Sequence, residues 1–94
     1  MLKEELLQET AKIGWRELER FFANGTTIFV APELDLIDVA WEICQDNKEK
    51  VQDWMAAGQV GQVSDEQAVA WLETDALVWS VVVKPWVLVQ PLSH

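Results

Sequence analysis

The chain is short of the residues that carry most enzyme chemistry. It has one cysteine, Cys44, one histidine, His94, and no tyrosine. A single cysteine permits no intramolecular disulfide and no cysteine-based zinc site. His94 is the last residue, where chain ends usually fray. The sequence contains no Gly-rich phosphate loop and no strained nucleophile turn. No apolar run approaches the ~20 residues that a membrane helix needs. The first residues, MLKEELLQETAK, carry acids where a signal peptide needs a basic and then an apolar segment. The expectations are a cytoplasmic protein, no cofactor and no enzymatic activity.

Basic residues are scarce as well. Seven Lys and Arg stand against sixteen Asp and Glu, a formal net charge of −9. The imbalance is local. Residues 1–25 are close to neutral, whereas residues 33–75 hold eleven acids against Lys48 and Lys50. Such a field repels phosphate backbones and anionic membranes. It favours a basic protein surface or a cation, although a solvated acidic face also keeps a small protein soluble without any partner.

What the chain does have is apolar and aromatic. Half of its 94 residues are hydrophobic, and six are tryptophan. That composition excludes disorder. The length suits one domain over residues 1–94, with 91–94 expected as a frayed tail. The most β-branched stretch is ALVWSVVVKPWVLVQ, Ala76 to Gln90. Leu77, Trp79, Val81 and Val83 would point one way, and Val78, Ser80, Val82 and Lys84 the other. Both sets are mostly apolar, as in a strand covered on two sides. Proline cannot take the positive φ of a primed hairpin turn. Pro85 therefore reads as a bend, bulge or edge position, with strand resuming at Trp86.

The remaining elements follow from periodicity and caps. Two helices are expected at about 3–12 and 15–23, or one helix kinked at Gly14, where the apolar stripe changes phase. Thr26 to Ala31 reads as a strand. A helix follows, with Asp35 as N-cap and Asp38 in its first turn, running to about Gln45. Lys48 to Ala57 is helical, with Val51, Trp54 and Met55 inward and Gly58 beyond its end. Gln59 to Val63 is a loop or a short edge strand. Ser64 and Gln67 form a capping box for a further helix. The fold class is α+β, with four to five short helices packed on a small sheet of two to four strands, the helices lying on one face.

Several stretches together resemble a known family. They are Ala31-Pro32-x-Leu34-Asp35-Leu36-Ile37, Ala57-Gly58-Gln59-Val60, Ser64-Asp65-Glu66-Gln67-Ala68, and Val81-Val82-Val83-x-Pro85-Trp86-Val87-Leu88-Val89-Gln90. The pattern resembles the small bacterial proteins grouped as domain of unknown function 2288, over nearly the whole chain. The resemblance implies a bacterial cytoplasmic protein. It supplies no activity and no catalytic residues.

Three sets of residues are candidates for function. Asp35, Asp38 and Glu42 fall at i, i+3 and i+7 of a helix, near enough for a hard cation such as Mg²⁺. The plainer account makes the two aspartates capping groups and Glu42 a residue of the wet face. Trp86, with its neighbour Pro85, and Trp79 are the candidates for an interaction surface, because six indoles are many for one small core. Cys44, on an apolar helix face, reads as a buried, inert thiol. The functional expectation is a non-enzymatic acidic protein-interaction or regulatory module, in contact with a basic protein surface or forming a homodimer. The alternatives are a small metal-assisted enzyme using the acidic helix face, and an acidic mimic occupying a nucleic-acid-binding protein.

Overall fold

The computed structural model describes residues 3–92. Its element order is α1 (Lys3–Glu9), β1 (Ala11–Gly14), a 3₁₀ turn (Trp15–Leu18), α2 (Glu19–Ala23), β2 (Thr27–Val30), α3 (Leu36–Cys44), α4 (Lys48–Ala56), β3 (Val60–Gln62), α5 (Asp65–Glu73), β4 (Leu77–Val83) and β5 (Trp86–Pro91). The α+β class and five short helices stand. The sheet is larger than the two to four strands expected, with five in the order β1-β4-β5-β2-β3. β2 runs parallel to β5, and every other pair is antiparallel.

The extra strand comes from the N-terminal segment. Residues 11–14 were expected to be helical or to hold a kink, but they pair with β4, Ile13 opposite Val78 and Lys12 opposite Trp79. Helix α1 stops where Thr10 turns back on it, its N–H and hydroxyl both donating to the Leu6 carbonyl, at 3.0 and 2.8 Å. The change of apolar phase at Gly14 was therefore real, but it marks a crossing from one side of the sheet to the other. Leu6 of α1 packs with Val81, Val83 and Leu88, whereas Trp15 and Leu18 pack with Val78, Val87 and Val89. Successive residues of a strand face opposite sides, so Val87 and Leu88 lie in different cores. The helices thus cover both faces, not one. Helices α1, α3 and α4 lie on the first face; the 3₁₀ turn, α2 and α5 lie on the second.

The second core is aromatic. Trp15 is fully buried and meets Phe22 and Trp71 edge-on, with ring centroids 5.8 and 5.0 Å apart. Such tilted contacts suit the ring quadrupole.

The helix ends were legible from composition, and their chemistry recurs. After α2, α3, α4 and α5 the chain turns through a left-handed residue: Gly25, Asp46, Gly58 and Asp75. Each end carries the paired bonds of a Schellman motif, such as Gln59 N–H to the Trp54 carbonyl with Gly58 N–H to that of Met55. The capping box at Ser64 and Gln67 is complete in both directions.

The β4–β5 connection departs from expectation. Lys84 and Pro85 form a tight two-residue reversal, with Val83 opposite Trp86. The Lys84–Pro85 peptide is cis, the arrangement of a type VI turn, which demands no positive φ. A primed turn remains excluded at Pro85, but the hairpin closes through a turn of another type. Pro91, assigned to a terminal tail, is instead the last residue of β5, opposite Val78. Of the rest of that tail, Leu92 follows the strand without regular structure, and Ser93 and His94 lie outside the described residues. Among the described residues no helix is long and apolar enough to cross a membrane.

Candidate functional site

Residue Trp86 stands at the start of β5, immediately after the reversal that positions it. It faces the first side of the sheet, as does Leu88 two residues on. Half-buried, it forms part of the wall between two surface grooves. One groove, of about 570 Å³, runs between α4 and the β2–β3 edge and is lined by Ile28, Val51, Met55, Val60 and Trp86 among others, with Asp46 and Lys48 at its polar end. The other, of about 900 Å³, includes Glu9, Cys44, Val82 and Lys84. The first is apolar along most of its floor.

The other interaction candidates separate. Pro85 is exposed at the hairpin tip, next to Trp86. Trp79 is exposed on the same face of the sheet, but it pairs with Gln90, four residues along β5 from Trp86, roughly 13 Å away at the usual strand rise. The Lys12 ammonium lies 5.1 Å from the centroid of the Trp79 ring, a cation–π contact across β1 and β4. Leu77, also exposed, belongs to the same face. Trp79 and Trp86 therefore belong to two separate patches.

The acidic stripe of α3 is occupied with structural work. An Asp35 carboxylate oxygen accepts from the backbone N–H of Ile37 at 2.9 Å and of Asp38 at 3.4 Å, the geometry of an N-cap. The Glu42 carboxylate accepts from the Asn47 side-chain amide at 2.7 Å, while the Asn47 carbonyl oxygen caps α4 through the Lys50 N–H. Among the described residues no three of His, Cys, Asp and Glu converge as a metal site would need. Cys44, expected to be buried, is half-buried at the end of α3, in the lining of the second groove.

Two features of the site were not read from the sequence. Met55 was placed inward, yet it is about half exposed and forms the outer wall of the apolar groove. Its neighbour Trp54 takes the core-facing place, with the Lys50 ammonium 5.8 Å from its ring. One residue is 100° on a helix, so the two cannot both face the same core squarely. Gln90 is the second. Its side-chain amide donates to the carbonyls of Ala31 at 2.9 Å and Leu34 at 2.7 Å. This ties the central strand to the loop that launches α3, and so fixes the roof over the first face.

A profile of a family described as "Protein of unknown function (DUF2288)" matches residues 1–91. No curated protein matches the chain. Among solved structures, the chain is similar to that described as the NMR solution structure of PA1075 from Pseudomonas aeruginosa. The two share 43% sequence identity with a TM-score of 0.86, over 95% of this chain and 82% of that one. Neither description names an activity.

Proposed function

The chain belongs to the DUF2288 family of proteins of unknown function, and we propose that it is a protein-interaction module that offers an acidic, apolar-floored surface to a basic partner. The observation that carries this reading is the groove beneath α4. Its apolar floor includes Trp86, and most of its other lining comes from residues 33–75, the segment that holds eleven of the sixteen acids. An apolar anchor site surrounded by one sign of charge is how interfaces combine affinity with steering. A nucleic-acid-binding protein is one partner of that chemistry, and the acidic surface would then act as a mimic of its ligand.

The test is capture from a bacterial lysate on immobilised full chain, at low and at high salt, with Trp86→Ala alongside and its fold checked by circular dichroism. The expected result is a partner held at low salt, released at high salt, and lost from the folded Trp86→Ala chain. No retained protein, or retention indifferent to salt, would sink the reading.

Self-association is a second reading, favoured by Leu77 and Trp79. These lie exposed on one face of β4, in a region where Lys12 is the charged neighbour of the ring.

A further inference from the structure

Strand β3 is the last in the sheet. The Ala31 N–H donates to the Gln59 carbonyl at 2.8 Å, the Val63 N–H to that of Thr27 at 3.3 Å, and Phe29 lies opposite Gly61. Residues 59, 61 and 63 therefore direct their backbone groups at β2. In an antiparallel ladder the alternate residues point the other way, so the N–H and C=O of Val60 and Gln62 face outward, with no strand beyond them among the described residues. Exposed edges are ordinarily blunted by charged side chains, proline or a bulge. Val60-Gly61-Gln62 carries none of these, and its shortness is its one protection. A Cβ built at Gly61 would meet nothing within 4 Å, so the second face is open at this point. On the first face, the apolar groove opens beside the same edge, with Val60, Gly61 and Gln62 in its lining.

Charge selects the occupant. Glu33 lies by the start of β3, its carboxylate reached by the Gln59 side chain at 3.5 Å. Asp65 and Glu66 open α5 just past its end, and Asp46 stands with Lys48 at the groove's polar end. Four acids thus stand against one base. A second copy of this chain, paired edge to edge, would bring like charges together. A nucleic acid would meet the same repulsion.

We propose that the β3 edge takes up an extended segment of a partner protein in which apolar residues alternate with Lys or Arg. The Val60 and Gln62 backbone groups pair with the segment as in strand addition. Its apolar side chains enter the groove between Met55 and Trp86. Its basic side chains lie on the second face, toward the first turn of α5. The proposal rests on the reading of this surface as a docking site for a basic partner, and it names the mode and the sequence pattern.

The experiment uses the full ¹⁵N-labelled chain and a synthetic, end-capped peptide alternating valine with lysine, with the glutamate-for-lysine peptide as comparison. The valine–lysine peptide is expected to shift the amides of Val60, Gly61 and Gln62 and to slow hydrogen exchange at Val60 and Gln62. The glutamate peptide should bind more weakly. Gln62→Pro removes an outward N–H without breaking a backbone bond to β2, at a position where an edge strand tolerates proline, and it also gives up the side-chain bond to the Gly25 carbonyl. It is expected to weaken binding by about tenfold. Exposed Met55→Glu should weaken it as well, and this variant stands in if Gln62→Pro does not fold. Binding that maps to Leu77 and Trp79, or that Gln62→Pro leaves unchanged in a folded chain, overturns the edge site while leaving the docking module to the lysate test. Equal binding of the glutamate peptide overturns the stated partner chemistry. Absence of binding by either peptide overturns strand addition.

Discussion

At the scale of single residues, the carboxylates of α3 illustrate how one spacing supports two chemistries. Asp35, Asp38 and Glu42 share a helix face, as a cation site would require, but Asp35 spends its oxygen on the first turn of its own helix. Capping and cation binding make different demands. Asparagine caps about as well as aspartate but has no charge, whereas alanine does neither. Asp35→Ala is therefore expected to lower stability by about 1 kcal/mol. Asp35→Asn should stay near the parent value, and Mg²⁺ should leave the melting temperature of all three chains unchanged. Urea denaturation and thermal melts with and without Mg²⁺ decide this. A melting temperature that rises with Mg²⁺ in the parent alone would restore the metal-assisted alternative.

At the scale of elements, the informative case is the first fourteen residues. Helix α1 is a little under two turns long and could not persist alone, because short helices do not repay nucleation. Tertiary contact holds it, and Leu6 is its anchor, fully buried against Val81, Val83 and Leu88. Leu7, next to it, is mostly exposed. Leu6→Ala is expected to cost about 2–5 kcal/mol and Leu7→Ala under about 1, read from chemical denaturation midpoints. If the two cost the same, α1 is not docked as described. The same region shows why part of the fold was not legible. Ala11-Lys12-Ile13-Gly14 has no strong strand pattern, and four residues give periodicity too little to work with. These residues become a strand because β4 offers them an edge. By contrast, α3 and α5 were readable because Asp35 and Ser64 satisfy helix N–H groups through local bonds that need no distant partner.

At the scale of the whole molecule, charge and apolar surface are segregated. The 33–75 segment carries the negative field, whereas Leu77 and Trp79 lie on β4 beside Lys12 of the nearly neutral N-terminal region. Any self-association should use that second patch, and a net charge of −9 should oppose it. Salt screens this repulsion more than it disturbs apolar contact. Light scattering across a salt series is therefore expected to show the mass rise toward a dimer as salt increases, with Trp79→Ala held at the monomer. A monomer mass at every salt concentration removes the second reading. The basic-partner reading predicts the opposite salt dependence for its own complex.

From sequence alone came the α+β class, the family resemblance, the helix caps and the strand character of Ala76–Gln90. These rest on local chemistry: a cap reaches three residues, and a β-branched run biases its own backbone. Tertiary structure decided the crossing of the chain between faces at β1, the parallel pairing of β2 with β5, the Gln90 tie to the Ala31–Leu34 loop, and the groove that joins Met55 to Trp86. Each of those depends on which residues, far apart in the chain, become neighbours. That is settled by how the apolar faces of all the elements are covered together, and no window of sequence contains it.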